Sequence, residues 1–156
     1  ILGETYPDVF SGVGAHSGLP AGCAKDVLTA FAAMAGNGTV ATNLDGVSAT
    51  RTIIMHGTSD NTAHPSNGEQ IARHARDLGP RQTIETEERG RAGGRTYSRK
   101  LTAQDKGPTL VEEWKIEGLG HAWSGGCAQG SYTDAKGPDA SAAMVRFFFG
   151  DLGGRT

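Results

Sequence analysis

The stretch "RTIIMHG", Arg51–Gly57, decides how the chain folds. It is a short apolar run with polar or turn-forming residues at both ends, which is typical of a strand covered on both faces. The loop "TSDNTAHP" follows, and Pro65 and Ser66 then open a helical pattern that runs to about Leu78. Strand, loop and helix in this order predict half of a parallel α/β unit.

Segments on both sides extend this unit. "VFSGVGAH", residues 9–16, predicts a buried strand, and residues 24–35 have apolar side chains at helical spacing. A polar loop is expected over residues 36–50. Three alternating runs between residues 81 and 118 predict a β meander, or a hairpin that leads into the last strand of the sheet. "DASAAMVRFFFGDL", from residue 139, predicts a helix capped by Asp139 or Ser141. Its expected buried face is Ala143, Met144, Phe147 and Phe148.

The composition indicates one folded domain of 156 residues. Hydrophobic residues make up 37% and charged residues 21%, with a formal net charge of −2, which is typical of a globular chain. No basic stripe indicates nucleic-acid binding, and no apolar run reaches the roughly 18 residues of a membrane span. Cys23 and Cys127 are too few and too far apart for a metal site. They are either two free thiols or one disulfide near the edge of the sheet where both are predicted to lie.

Polar side chains follow two strands of the predicted sheet. Asp60 comes just after Arg51–Gly57, and His121 comes just after "TLVEEWKIE", in the loop "GLGHAWSGG". The carboxyl ends of parallel strands meet at one edge, where α/β proteins place their functional loops. An Asp followed by a His is the order in which α/β-hydrolases carry the last two members of a Ser-Asp-His triad. His121 is therefore a candidate base and Asp60 the acid that orients it.

Other acids and the serines fit these roles less well. Asp45 precedes the strand and Asp134 follows the histidine, so both break the order of the triad. No serine has glycine two positions away on both sides, as a G-x-S-x-G nucleophile elbow requires. Ser17 lies in "GAHSGLP" and Ser59 in "GTSDN". The sequence therefore offers no matching nucleophile.

The remaining histidines favour structural roles. His56 is expected to end the buried strand and to form a hydrogen bond with the backbone, and His64 to shape the turn before Pro65. Metal binding by these two with Asp60 is conceivable but has little support from spacing. The neighbours His16 and Ser17 are interpreted as strand-end structure, because adjacent residues do not easily form a catalytic dyad.

Three segments together carry a family resemblance: "YPDVFSGVGAHSGLP", "IIMHGTSDNTAHPSN" and "GLGHAWSGG…GPDASAAMVRFF". They resemble, in order, the C-terminal half of polyhydroxybutyrate depolymerase-type esterases, which are secreted or periplasmic α/β-hydrolases related to feruloyl and acetylxylan esterases. The resemblance covers nearly all of residues 1–156. It implies the C-terminal part of one α/β-hydrolase domain, with helices on both faces of a mostly parallel sheet and the meander inserted before its last strand.

The resemblance also implies an activity. Asp60 would be the acid, His121 the base, and Trp123 a residue lining the acyl or alcohol pocket. The substrate would be a hydroxyalkanoate oligomer or an acylated or feruloylated polysaccharide, and no metal or organic cofactor would be needed. The rival interpretation is a non-catalytic α/β module that binds a carbohydrate or a partner protein through His121 and Trp123.

The start of the chain carries a further expectation. Residues 1–6 read like the end of a helix, and in the family the nucleophile lies about one helix before "YPDVF". The chain would then begin after its own serine, and alone it would be inactive. The strand at residues 9–16 would present an open edge to the N-terminal half of the domain or to a second copy.

Overall fold

The computed structural model of the chain describes residues 1–38 and 49–150. Asp45 lies outside the described residues, as does most of the polar loop expected over residues 36–50. Among the described residues, no helix is long and apolar enough to cross a membrane.

The fold is mixed α/β around a five-stranded sheet. Its strands are β1 (Gly12–His16), β2 (Arg51–Gly57), β3 (Ile84–Ala92), β4 (Arg95–Ala103) and β5 (Thr109–Ile116). They lie in the order β1-β2-β5-β4-β3. β1, β2 and β5 are parallel, whereas β4 pairs antiparallel with both β5 and β3. The meander is thus confirmed, and the sheet is mixed rather than mostly parallel.

In the part of the chain that the structure describes, four α-helices accompany the sheet: α1 (Leu2–Thr5), α2 (Val27–Ala32), α3 (Ser66–Asp77) and α4 (Ala140–Phe149). α2 continues directly into a π-helical turn, Ala33–Asn37. Two short strands, β6 (Trp123–Ser124) and β7 (Thr133–Asp134), pair with each other in the loop after β5. The helices expected after residues 24, 65 and 139 are all present, and α3 and α4 end within a few residues of the predicted positions.

The core lies on both faces of β2. Ile53 and Met55 pack on one face in a cluster that includes Phe147 of α4. Ile54 packs on the other face with Ala72 of α3. Every residue of β2 after Arg51 is buried, as the uninterrupted apolar run predicts for a strand between two helical layers. β2, the strand that carries the first functional loop, is therefore held from both sides.

α4 begins and packs as its sequence predicts. Asp139 is the N-cap, and its carboxylate accepts a hydrogen bond from the backbone N–H of Ala142 (2.9 Å). Ala143 and Phe147 are buried, and Met144 and Phe148 are partly buried against the same cluster.

α2 differs from the other helices in the exposure of its apolar residues. Its N-cap, Asp26, forms a capping box with Thr29. Val27, Leu28 and Phe31 nevertheless remain largely exposed, because only the π-helical turn that follows, through Ala33, reaches the core. Helical spacing therefore located this helix but did not identify a buried face.

β1 is an edge strand of the sheet. It pairs with β2 along its whole length, from Gly12 to His16, and its other side has no strand partner among the described residues. The apolar side chains of Val9 and Phe10, just before β1, are exposed. The buried strand predicted from residue 9 thus begins only at Gly12, and none of its residues is buried.

Candidate active site

The loops that follow β2 and β5 are joined through their backbones. Thr58 N–H donates to Ile116 O and Ser59 N–H donates to Leu119 O, both at 3.0 Å. A side chain at Gly57 would overlap the carbonyl group of Leu119, so only glycine permits this approach. These contacts bring residues 60 and 121 together although 61 positions separate them in the sequence.

Asp60 is buried at the end of the first loop. One carboxylate oxygen, Oδ1, accepts hydrogen bonds from the backbone N–H groups of Thr62 (2.9 Å) and Ala63 (2.8 Å). The other, Oδ2, lies 2.9 Å from Nδ1 of His121. Burial opposes ionisation, but the hydrogen bonds from Ala63, His121 and Thr62 outweigh it, and the pKa of Asp60 lies below its usual value. Asp60 is therefore an anion that faces the histidine.

His121 is oriented by this carboxylate. An ionised carboxylate can only accept, so Nδ1 of His121 carries the hydrogen, and in the neutral ring Nε2 is free to accept a proton. The His121 side chain is 36% exposed, whereas that of Asp60 is fully buried. Nε2 makes no hydrogen bond to the described part of the chain. A buried acid behind an accessible imidazole is the arrangement of a general base and its orienting group.

His56 lies behind the same carboxylate. Its Nε2 donates to the backbone carbonyl of Ala63 (2.8 Å) and lies 3.4 Å from Oδ2 of Asp60. The ring is buried, and its Nδ1 has no hydrogen-bond partner among residues 1–38 and 49–150. The predicted backbone hydrogen bond of His56 is thus confirmed, and it closes the turn that holds Asp60.

The π-helical turn after α2 supports the acid loop from outside. His64 N–H donates to Met34 O (2.7 Å), and the buried amide of Asn67 donates to the carbonyls of Ala33 and His64, both at 3.0 Å. The ring of His64 is exposed and contacts Ser66 Oγ (2.9 Å), which confirms its predicted role in the turn. π-helical turns are often found at functional sites.

An open pocket of about 510 Å³ lies in front of His121. Residues of four segments line it: His16, Ser17, Thr62, His121, Ala122, Trp123 and Tyr132. Trp123 is 37% exposed and Tyr132 79% exposed, so two aromatic rings are available to a ligand. Trp123 lines this pocket together with His121, and the predicted role of its ring in an acyl or alcohol pocket stays a prediction.

His16 forms the floor beneath Trp123. The two rings stack with their centroids 4.8 Å apart. Nε2 of His16 accepts a hydrogen bond from the backbone N–H of Ser124 (3.1 Å), and Nδ1 lies 3.2 Å from Ser17 Oγ. Burial, followed by the nearby His56, lowers the pKa of His16 to about 4. His16 is therefore neutral near pH 7.

The meander braces the base loop through Arg95 at the start of β4. Its guanidinium donates to Glu117 O (3.1 Å) and, through Nε (2.9 Å) and Nη2, to the carboxylate of Asp134. The hydrogen bonds from Arg95 hold the pKa of Asp134 below its usual value. Asp134, the competing acid of the sequence, is thus paired with Arg95 and not with His121.

The two cysteines do not form the disulfide considered from the sequence. Both are free thiols, with Cys23 partly buried and Cys127 exposed. Cys127 Sγ lies 2.7 Å from Gln129 Oε1 within its own loop. Among the described residues, no group of three or more histidine, cysteine, aspartate or glutamate side chains could hold a metal ion.

Comparison with protein-family models and with curated proteins finds no match to this chain.

Sequence reasoning missed part of the pocket. Tyr132 comes 11 residues after His121 in a polar loop, and no periodicity marks it. His16 was interpreted as strand-end structure, yet its ring supports Trp123. Their position in the chain was the one available signal. His16 ends β1 and Ser17 follows it, and since β1 is parallel to β2, both residues lie at the edge of the sheet where Asp60 lies.

Proposed function

We propose that this chain carries the acid and the base of a serine carboxylic ester hydrolase. Asp60 is the acid and His121 the base, and the single observation that carries the proposal is their pairing. A buried, ionised carboxylate with two backbone donors on one oxygen contacts Nδ1 of a histidine with the other. The ring opens onto a pocket with exposed aromatic side chains, which suits the acyl or alcohol part of an ester.

The chemistry follows from this geometry. Nε2 of His121 takes the proton of a serine hydroxyl as its oxygen attacks the ester carbonyl, and then delivers it to the departing alcohol. Water releases the acyl group by the same route. Asp60 keeps Nδ1 protonated and stabilises the imidazolium that forms.

On this proposal, the nucleophilic serine lies outside these 156 residues. The sequence has no G-x-S-x-G elbow. Nε2 of His16 accepts from Ser124 N–H, so Nδ1 carries the ring hydrogen and donates to Ser17 Oγ, which this ring therefore cannot deprotonate. A strand added parallel to β1 on its open side would end at the same edge as His16 and His121. The order of strands, the meander and the helices on both faces support the C-terminal part of an α/β-hydrolase domain.

A fluorophosphonate probe tests the proposal, because it labels only an activated serine. The product of the complete gene should be labelled at one serine outside this chain, and His121→Ala and Asp60→Ala should each abolish labelling. The 156-residue chain alone should neither be labelled nor release p-nitrophenol from p-nitrophenyl acetate. Labelling within this chain would contradict the assignment. A complete product without a reactive serine would favour the binding-module alternative.

A further inference from the structure

A second open groove, of about 490 Å³, lies between α3 and the antiparallel strands of the sheet. It shares no lining residue with the pocket in front of His121. Five cationic and three carboxylate side chains line it together with Ser98. The groove therefore has two more positive than negative charges, in a chain whose formal net charge is −2. This local excess of positive charge favours an anionic ligand.

The register of the strands forms a recess at Ser98. Ser98 of β4 lies directly opposite both Arg89 of β3 and Lys115 of β5, so the three side chains lie on one face of the sheet. Neighbouring strands are about 4.8 Å apart, and serine is much shorter than arginine or lysine. The Ser98 hydroxyl has no hydrogen-bond partner in the described part of the chain. A free hydroxyl thus lies at the bottom of the groove between two long cationic side chains.

α3 supplies the facing wall. Glu69, Arg73 and Arg76 follow each other at spacings of four and three residues, so they lie on one face of the helix. Glu69 Oε1 lies 2.6 Å from Lys115 Nζ, and Arg76 Nη1 donates to Glu113 Oε2 (3.1 Å). These two ion pairs hold the helix against β5 about one turn before and one turn after Arg73. Arg73 itself is exposed and has no polar partner within residues 1–38 and 49–150.

Arg89 is the second available guanidinium of the groove. Its Nε lies 3.3 Å from Glu87 Oε1, and both side chains are more than half exposed. An ion pair so open to water contributes little to stability, so Arg89 can exchange this partner for a ligand. Arg73 and Arg89 come from two sides of one groove. Each can therefore direct N–H donors at an anion that lies above Ser98.

We propose that this groove is an oxyanion-binding site with Arg73, Arg89 and Ser98 as its donors. A guanidinium presents paired N–H groups that match two oxygens of a phosphate or a carboxylate, and the serine hydroxyl donates to a further oxygen. The ligand is therefore a molecule that carries a phosphate or carboxylate group. The inference is independent of the proposed function, because the site uses neither Asp60 nor His121.

Calorimetric titration of the product of the complete gene at pH 7 and low salt tests the site. Phosphate and malonate are the probes, because each carries up to about two negative charges at this pH. At least one should bind saturably, and the tighter of the two indicates whether the natural ligand is phosphorylated or carboxylated. Arg73→Gln and Arg89→Gln should each weaken binding about tenfold, because hydrogen bonds from charged donors are strong, and Ser98→Ala about fivefold.

Two further variants make the test specific. Arg81→Gln removes the same charge at an exposed position outside the groove and should leave binding within about twofold, because salt and water screen distant surface charges. Arg73→Lys keeps the charge but not the paired donors, and should bind more weakly than the native protein. Circular dichroism checks that each variant is folded. The inference would be overturned if neither anion bound saturably, if Arg73→Gln and Arg89→Gln bound as the native protein does, or if Arg81→Gln lost as much affinity as they do.

Discussion

The parallel half of the sheet (β1, β2 and β5) and the antiparallel hairpin (β3 and β4) are stabilised differently. Every residue of β2 after Arg51 is buried, whereas most of β3 is exposed. The hairpin carries exposed ion pairs, such as Lys100 with Glu85 at 2.7 Å, while the parallel half has apolar side chains on both faces. The loops of the candidate site follow strands of the parallel half, where packing leaves the strands little freedom to move. Such rigidity is needed to hold two loops within hydrogen-bond distance of each other.

The largest expected effect is the difference in stability loss between one substitution in the parallel half and one in the hairpin. Ile53→Ala empties a fully buried position in β2 and should lower the free energy of unfolding by about 4 kcal/mol. Ile84→Ala removes a side chain that is 53% exposed in β3 and should change it by no more than about 0.5 kcal/mol. Urea denaturation measures both, and equal losses would show that the hairpin is packed as tightly as β2.

A second test concerns the contact between the acid and base loops. Gly57→Ala places a methyl group on the Leu119 carbonyl, and because backbone must move, it should cost about 3 kcal/mol. Gly120→Ala is the matched control, since its methyl group would meet only Ser59 O at 4.0 Å. That variant should change stability by less than about 1 kcal/mol. Loss of the His121 Nδ1 proton signal in the first variant alone would confirm that this contact aligns the pair.

Acid should destabilise the two halves in different pH ranges. The pKa of His16 falls from about 6.5 to about 4 on folding, so the unfolded chain binds more protons between these values. Stability should be nearly complete at pH 7.5 and fall by about 2 kcal/mol by pH 5 and about 3 kcal/mol by pH 4. The groups that face His16 are His56, Asp60 and His121.

The hairpin should respond only at lower pH. Hydrogen bonding by Lys100 holds the pKa of Glu85 below its usual value, so the contribution of Glu85 to stability is present above pH 4.5 and lost below it.

A His16 variant tests the response at higher pH. Denaturation at pH 7.5 and at pH 5 should show a loss of stability in the native chain. The loss should be smaller in His16→Gln, whose amide can still accept a hydrogen bond from Ser124. An equal loss in both chains would assign the transition to other groups.

The smallest expected effect lies in the hairpin. Lys100→Ala breaks an ion pair whose partners are 39% and 42% exposed, and it should cost no more than about 0.5 kcal/mol. High salt should reduce even this difference, because exposed charges are screened. Thermal unfolding in low and high salt measures it. A loss above 1 kcal/mol would mean that this surface pair contributes to stability as buried contacts do.

Local patterns predicted much of this fold. β2, the meander and α4 with its Asp139 cap follow from periodicity, turn residues and capping, which act within a few positions of the chain. The pairing of Asp60 with His121 was also predicted, because parallel strands deliver their following loops to one edge. The family of the chain and its ester substrate remain proposals.

Features that depend on distant contacts were not predictable. α2 shows the apolar spacing of a packed helix, yet Val27 and Leu28 are exposed. His16 and Trp123 stack although 107 positions separate them, and Tyr132 reaches the pocket through a loop with no periodic pattern. Such contacts are set by tertiary packing, which local propensity does not encode.

The most direct test of the central claim is a double-mutant cycle on Asp60 and His121 in the product of the complete gene. Hydrolysis of p-nitrophenyl butyrate should fall about 10⁴-fold or more in Asp60→Ala and in His121→Ala, because the two groups act as one unit. The double variant should be no slower than the slower single variant. Losses that multiply, or a His121→Ala enzyme within tenfold of the native rate, would contradict the assignment of this pair as acid and base.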